Sequence, residues 1–156
     1  LEQAARDYEF CFTHLYDYAD LFILNFAEKT VPGATQLQDS SFLSDVIDRL
    51  LYLRLYFNEY KPILIQISDD LSHAELDDII HYARSSGVDC IASDSIGHIR
   101  YISEKTAGRL PVMSRVDFTS TRQAAEILDA GASLLLTSNL YKGARANLNL
   151  HKTKSK

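Results

Sequence analysis

Apolar residues arrive along this chain in two alternating rhythms. Five short runs are nearly unbroken: LFILNF from Leu21, KPILIQIS from Lys61, VDCIAS from Val88, LPVMS from Leu110 and SLLLTS from Ser133. Runs of this length, without polar alternation, predict strands buried on both faces. Between them the apolar positions recur at helical spacing. Gln3–Tyr18 places Ala4, Tyr8, Cys11, Phe12 and Leu15 on one stripe. Ser40 or Ser41 can cap a helix reaching about Asn58, with Leu43, Val46, Ile47, Leu50 and Leu51 inward. Ser72 and Glu75 form a capping box, Leu71 and Leu76 can staple its entry, and Gly87 suits the C′ position. A short helix is predicted over His98–Thr106. A further one opens at Ser120 and Gln123, turns Ala124, Ile127 and Leu128 inward, and ends at Ala130-Gly131. Ala27–Asp39 reads as a long loop with Pro32 and Gly33, and the pattern fades after Asn139.

Strand–helix alternation with continuous apolar strands predicts an α/β fold around a parallel sheet. Five strands suit either part of an eight-stranded (β/α)8 barrel or an open doubly wound sheet, and in both a ligand sits at the C-terminal strand ends. Those ends are Asn25–Thr30, Gln66–Asp70, Ser93–Ser95, Ser114–Asp117 and Thr137–Asn139. The fourth raises a question, because a strand, loop and helix here have the layout of a phosphate cradle. Such a cradle uses glycines, whose bare backbone lets N–H groups close on the oxygens. Ser114-Arg115-Val116-Asp117 has none, and a carboxylate about 5 Å from a phosphate repels it by roughly 3 kcal/mol at an effective dielectric of ~20.

Chemistry elsewhere is sparse. Glu28 beside Lys29 could be a base with its partner or a surface ion pair. Asp69 and Asp70 precede a helix, where the macrodipole favours acids, and no third oxygen ligand specifies a metal site. His73 and His81 stand eight apart, unlike metal-binding pairs, and His14, His98 and His151 are isolated. Ser93-Asp94-Ser95 could bond a small ligand or turn the chain.

Composition narrows the classes. A chain of 156 residues supports one domain over 1–150, followed by a solvated basic tail at 151–156. The net charge of −5 argues against general nucleic-acid binding. The nine Tyr and seven Phe read as core packing on helix stripes rather than base-stacking platforms. Cys11 and Cys90 lack C-x-x-C spacing, which fits a reducing, cytoplasmic compartment. No apolar run approaches the ~20 residues that span a bilayer, so membrane attachment has no support. The chain begins at Leu1, which hints at a fragment, a processed chain or a trimmed one.

Read end to end, the sequence resembles the C-terminal half of dihydroorotate dehydrogenase of the quinone-dependent class. The likeness runs from RDYEFCFTHLYDYADLFILN to LDAGASLLL. It is carried by Asn25, Pro32, Gly33, Leu37 and Gln38 in an N-x6-P-G-x3-L-Q frame, then by KPILIQISDDLSHAELDDII, GVD, ISEKTAGRLPV and LDAGASL. The resemblance implies a partial (β/α)8 barrel whose five strands are equivalent to strands four to eight. It also implies FMN as cofactor and the oxidation of dihydroorotate to orotate in pyrimidine synthesis.

Transferred by position, Asn25 matches a substrate-contacting asparagine, Glu28 the base, and Thr30 a second substrate asparagine. Asp94 and Ser95 fall on substrate positions. Gln66 stands for a flavin-contacting lysine. Ser93, Ser114, Arg115, Asp117, Ser138 and Asn139 fall on further FMN positions, with Val116 and Asp117 replacing glycines. The family's Gly-rich excursion before His98 is missing. The expectation is a truncated, non-catalytic relative that does not hold FMN and needs a second copy or a separate N-terminal half-barrel chain. The alternatives are an active FMN oxidoreductase subunit completed by another chain, or a module for another small ligand.

Overall fold

The apolar runs become strands because they can bury both faces, and the periodic stretches between them become helices. In the computed structural model, residues 2–26, 40–115, 118 and 120–137 are described. The elements are α1 (Glu2–Leu15), a 3-10 turn (Tyr16–Tyr18), β1 (Phe22–Asn25), α2 (Ser40–Arg54), β2 (Ile63–Gln66), α3 (His73–Ser86), β3 (Cys90–Ser93), α4 (Ile96–Thr106), β4 (Val112–Ser114), α5 (Thr121–Asp129) and β5 (Leu134–Leu135). The strands form one sheet in the order β1-β2-β3-β4-β5. A doubly wound sheet reverses its order at a switch point. This one never reverses, as in an arc of a (β/α)8 barrel, so the open-sheet alternative gives way. Backbone contacts group residues up to Ile91 and those from Ala92 onward as two compact units.

In the first unit, β1 and β2 pair in parallel from Phe22↔Ile63 to Asn25↔Gln66. An aromatic cluster sets the phase of α1. Phe12 lies 4.5 Å from Phe22, and Tyr16 stacks on Phe57 at 3.7 Å while its hydroxyl donates to the Glu59 carbonyl. The buried face of α1 therefore runs through Ala5 and Phe12 and on into Tyr16 of the 3-10 turn, and the predicted members Cys11 and Leu15 are exposed. Burying a side chain such as Phe12 contributes about 1.5–3 kcal/mol, enough to outweigh the looser stripe the spacing suggested.

Between α1 and α2, Arg49 reaches Asp45, Glu9 and Glu2 at 2.9, 3.2 and 3.4 Å. Helix α2 begins at Ser40, so Ser41 lies inside it rather than capping it. The helix also stops at Arg54, short of Asn58. Its end tightens into three-residue turns (Leu55 N to Tyr52 O, Tyr56 N to Leu53 O) as the Arg54 guanidinium is drawn to Asp89 at 2.7 Å and over the Tyr60 ring at 4.5 Å. Asp89 also accepts from Ile63 N at 2.8 Å, fixing the start of β2.

Helix α3 follows its sequence signals closely. Ser72 Oγ accepts from Glu75 N, Ser72 N donates to the Glu75 carboxylate at 2.8 Å, and Gly87 closes the helix at φ +94°.

In the second unit, α4 packs against β4, and β4 and β5 pair in parallel as Met113↔Leu134 and Ser114↔Leu135. Ile99, Ile102, Val112, Met113, Ala124 and Ile127 form its core. Helix α4 starts at Ile96, two residues before the predicted His98, because Ser95 caps it. Strand β5 covers only Leu134–Leu135 of the predicted run.

The aromatic reading needs one correction. Phe12, Tyr16, Phe26, Phe42 and Phe118 are buried, whereas Phe10, Tyr18, Tyr52, Tyr56 and Tyr60 are exposed.

Candidate functional site

Of the predicted site positions, Asn25, Gln66, Ser93, Asp94, Ser95, Ser114 and Arg115 are described. Glu28, Thr30, Asp117, Ser138 and Asn139 lie outside the described residues, as do Lys29 and Val116.

In the first unit the sheet register brings two predicted positions together. Asn25 ends β1 directly alongside Gln66, which ends β2, and in a parallel pair such neighbours share a face. Asn25 is exposed and Gln66 is buried. Tyr8 reaches the same place from α1: its hydroxyl donates to the Asn25 carbonyl at 3.5 Å and its ring lies 5.6 Å from Phe26. Burial pushes the Tyr8 phenol above its ordinary value. The sequence showed Tyr8 only as one more stripe residue, since helical spacing does not reveal which strand end a ring overlies. Beyond β2, the Ser68 hydroxyl bonds Asp70, and Ser72 opens α3.

The second unit holds a tighter polar group. Ser93 is fully buried, and its Oγ accepts from Ser95 N at 3.1 Å. Ser95 Oγ accepts in turn from His98 N at 3.4 Å, which satisfies one of the otherwise orphaned donors at the start of α4. Strand β4 is tied on by Arg115 N donating to the Ser93 carbonyl at 3.1 Å. That bond brings the Arg115 guanidinium beside Asp94, with Nε 3.9 Å from Oδ1. Ser114 is fully buried and its carbonyl accepts from Leu136 N at 2.8 Å. His98 is buried, as a core histidine would be. Among the described members of these strand ends, Arg115 is the one cation and Asp94 is the group nearest to neutralising it.

Among the described residues no group of three or more His, Cys, Asp or Glu could hold a metal ion, and no helix is long and apolar enough to cross a membrane. Cys11 and Cys90 are both thiols.

Known proteins match this arrangement at two levels. No family model matches the chain. The dihydroorotate dehydrogenase (quinone) of Christiangramia forsetii is 28% identical over 172 residues, covering 91% of this chain and 51% of that protein. The protein of the same name from Proteus mirabilis is 28% identical over 176 residues, covering 92% and 52%. The chain thus spans about half the length of the curated relatives it matches.

Among solved structures, ligand-free DHODH from Eimeria tenella superposes with a TM-score of 0.76 at 16% identity, over 85% of this chain and 49% of that one. QR15, an aldolase, gives 0.71 at 15% identity, over 94% and 66%. At such identities the superpositions establish the fold, and the curated relatives supply the likeness in sequence. Over about nine-tenths of its length the chain is similar to about half of the quinone-dependent dihydroorotate dehydrogenases.

Proposed function

We propose that this domain is a non-catalytic relative of the dihydroorotate dehydrogenases, kept as a folding and interaction unit that does not hold FMN or oxidise dihydroorotate. A flavin nucleotide needs donors and a cation facing its phosphate and a firm grip on its ring, because hydride transfer requires the flavin at near-attack distance. The described residues do not fit that need. Gln66 brings no charge to the position where the family resemblance implies a lysine. The hydroxyls of Ser93 and Ser95 are engaged with backbone groups of their own turn.

The observation that carries the reading is the Arg115–Asp94 pair, which sets a carboxylate against the one cation among the described members of these strand ends. Within the same reading, the domain completes its sheet through a second copy or a separate half-barrel chain, in a reducing compartment.

Fluorescence titration with FMN tests the reading, alongside an assay of dihydroorotate oxidation with a quinone acceptor. The expected result is neither saturable FMN binding nor turnover. Purified protein carrying stoichiometric flavin would overturn it, in favour of an active subunit in which Asn25 contacts substrate.

A further inference from the structure

We infer that Asp94 serves as a built-in anion that occupies Arg115, so that the strand ends of the second unit are sealed by the chain's own carboxylate against a phosphate-bearing ligand. The inference deepens the proposed reading and rests on it.

Two positive features converge on this carboxylate. Arg115 follows β4, and its backbone bond to the Ser93 carbonyl fixes the end of that strand against the end of β3. Asp94 is the next residue after β3, so the register alone places the two charges together, and they meet at 3.9 Å. Asp94 also immediately precedes the Ser95 cap of α4, where the helix presents its positive end. A phosphate arriving there would face a fixed negative charge and a cation already engaged.

The first turn of α4 also carries a buried polar side chain. His98, in the first turn of α4, is 9% exposed, and its Nδ1 has no hydrogen-bond partner among the described residues. The Asp94–Arg115 pair is itself partly open, with side chains 45% and 35% exposed, so it blocks through charge rather than by burial.

Removing the charge should therefore expose a latent anion site without unfolding the domain. The test is titration of wild type, Asp94→Asn, Asp94→Glu and Asp94→Asn/Arg115→Gln with inorganic phosphate, followed by two-dimensional NMR at the Arg115 side-chain and α4 amide signals. Asp94→Asn is expected to bind phosphate roughly tenfold more tightly than wild type, because solvent and salt screen charges this exposed to well below their low-dielectric strength. Asp94→Glu should stay at the wild-type level, and the double variant should lose the gain.

Equal affinity in wild type and Asp94→Asn would overturn the inference. So would a gain that persists without Arg115, or one that appears equally in Asp94→Glu. The two outcomes are distinguishable: FMN retained by wild type sinks the proposed function, whereas an unchanged phosphate affinity in Asp94→Asn, with wild type still free of FMN, sinks the role of Asp94 and leaves the absence of flavin to be explained by other residues.

Discussion

Gly131 shows how one position can hold two helices in register. It follows α5 with φ +108°, a conformation L side chains rarely adopt, and a Cβ added there would overlap the Ser103 side chain of α4. Gly131→Ala should therefore combine a backbone penalty with a steric one and cost about 2–4 kcal/mol, read as a lowered urea midpoint. Pairing it with Ser103→Gly should restore the steric part only. A midpoint like that of wild type would show that the loop relaxes freely. Gly131 was legible as a helix stop from Ala130-Gly131 alone, but the reason it must be glycine was not, since Ser103 is distant in sequence. Asp94 and Arg115 teach the same lesson. Each was readable as a strand-end residue, and their pairing emerged only from the β3–β4 hydrogen bond.

At the scale of elements, α3 is the most self-contained piece, and its signals are electrostatic as well as geometric. The Ser72 hydroxyl and backbone N–H hold the Glu75 carboxyl below its ordinary range. A depressed folded pKa contributes stability above the unfolded value, and this is lost as the pH falls through the folded value. Acid titration of wild type should thus lose stability from near the ordinary Glu value of 4.5 downward. In Glu75→Gln that part of the slope should flatten, as followed by circular dichroism across the same range. Identical slopes in the two proteins would mean the capping box contributes nothing through charge.

Helix α3 could be read from single-turn spacing because its cap, staple and stop all lie within the segment. Helix α1 could not be read so well. Its spacing allowed Cys11 and Leu15 to face inward, and the choice of Ala5, Phe12 and Tyr16 was made by Phe22 and Phe57, which belong to other elements.

For the whole molecule, the sheet order leaves β1 and β5 at its two ends. Near β5, Leu134 and Leu136 are 50% and 43% exposed, an apolar edge of the kind that pairs with further strands. Light scattering after size exclusion should find association that grows with concentration. Leu134→Lys/Leu136→Lys should reduce it while leaving the unfolding midpoint nearly unchanged, because charge on an edge blocks pairing without disturbing a core. A wild-type protein that stays monomeric at every concentration would argue against completion by a second copy.

By itself, the sequence determined the alternation of strands and helices, the caps at Ser72 and Ser120, the stop at Gly87, and the likeness to about half of the quinone-dependent dihydroorotate dehydrogenases. Each of these is written in spacings of a few residues or in the order of segments along the chain. Only the tertiary structure decided between an unreversed arc and an open doubly wound sheet, turned α1 onto its aromatic face, and set Asn25 beside Gln66 and Asp94 beside Arg115. Those outcomes depend on which backbone groups pair between strands separated by a helix, and local spacing carries no record of that register.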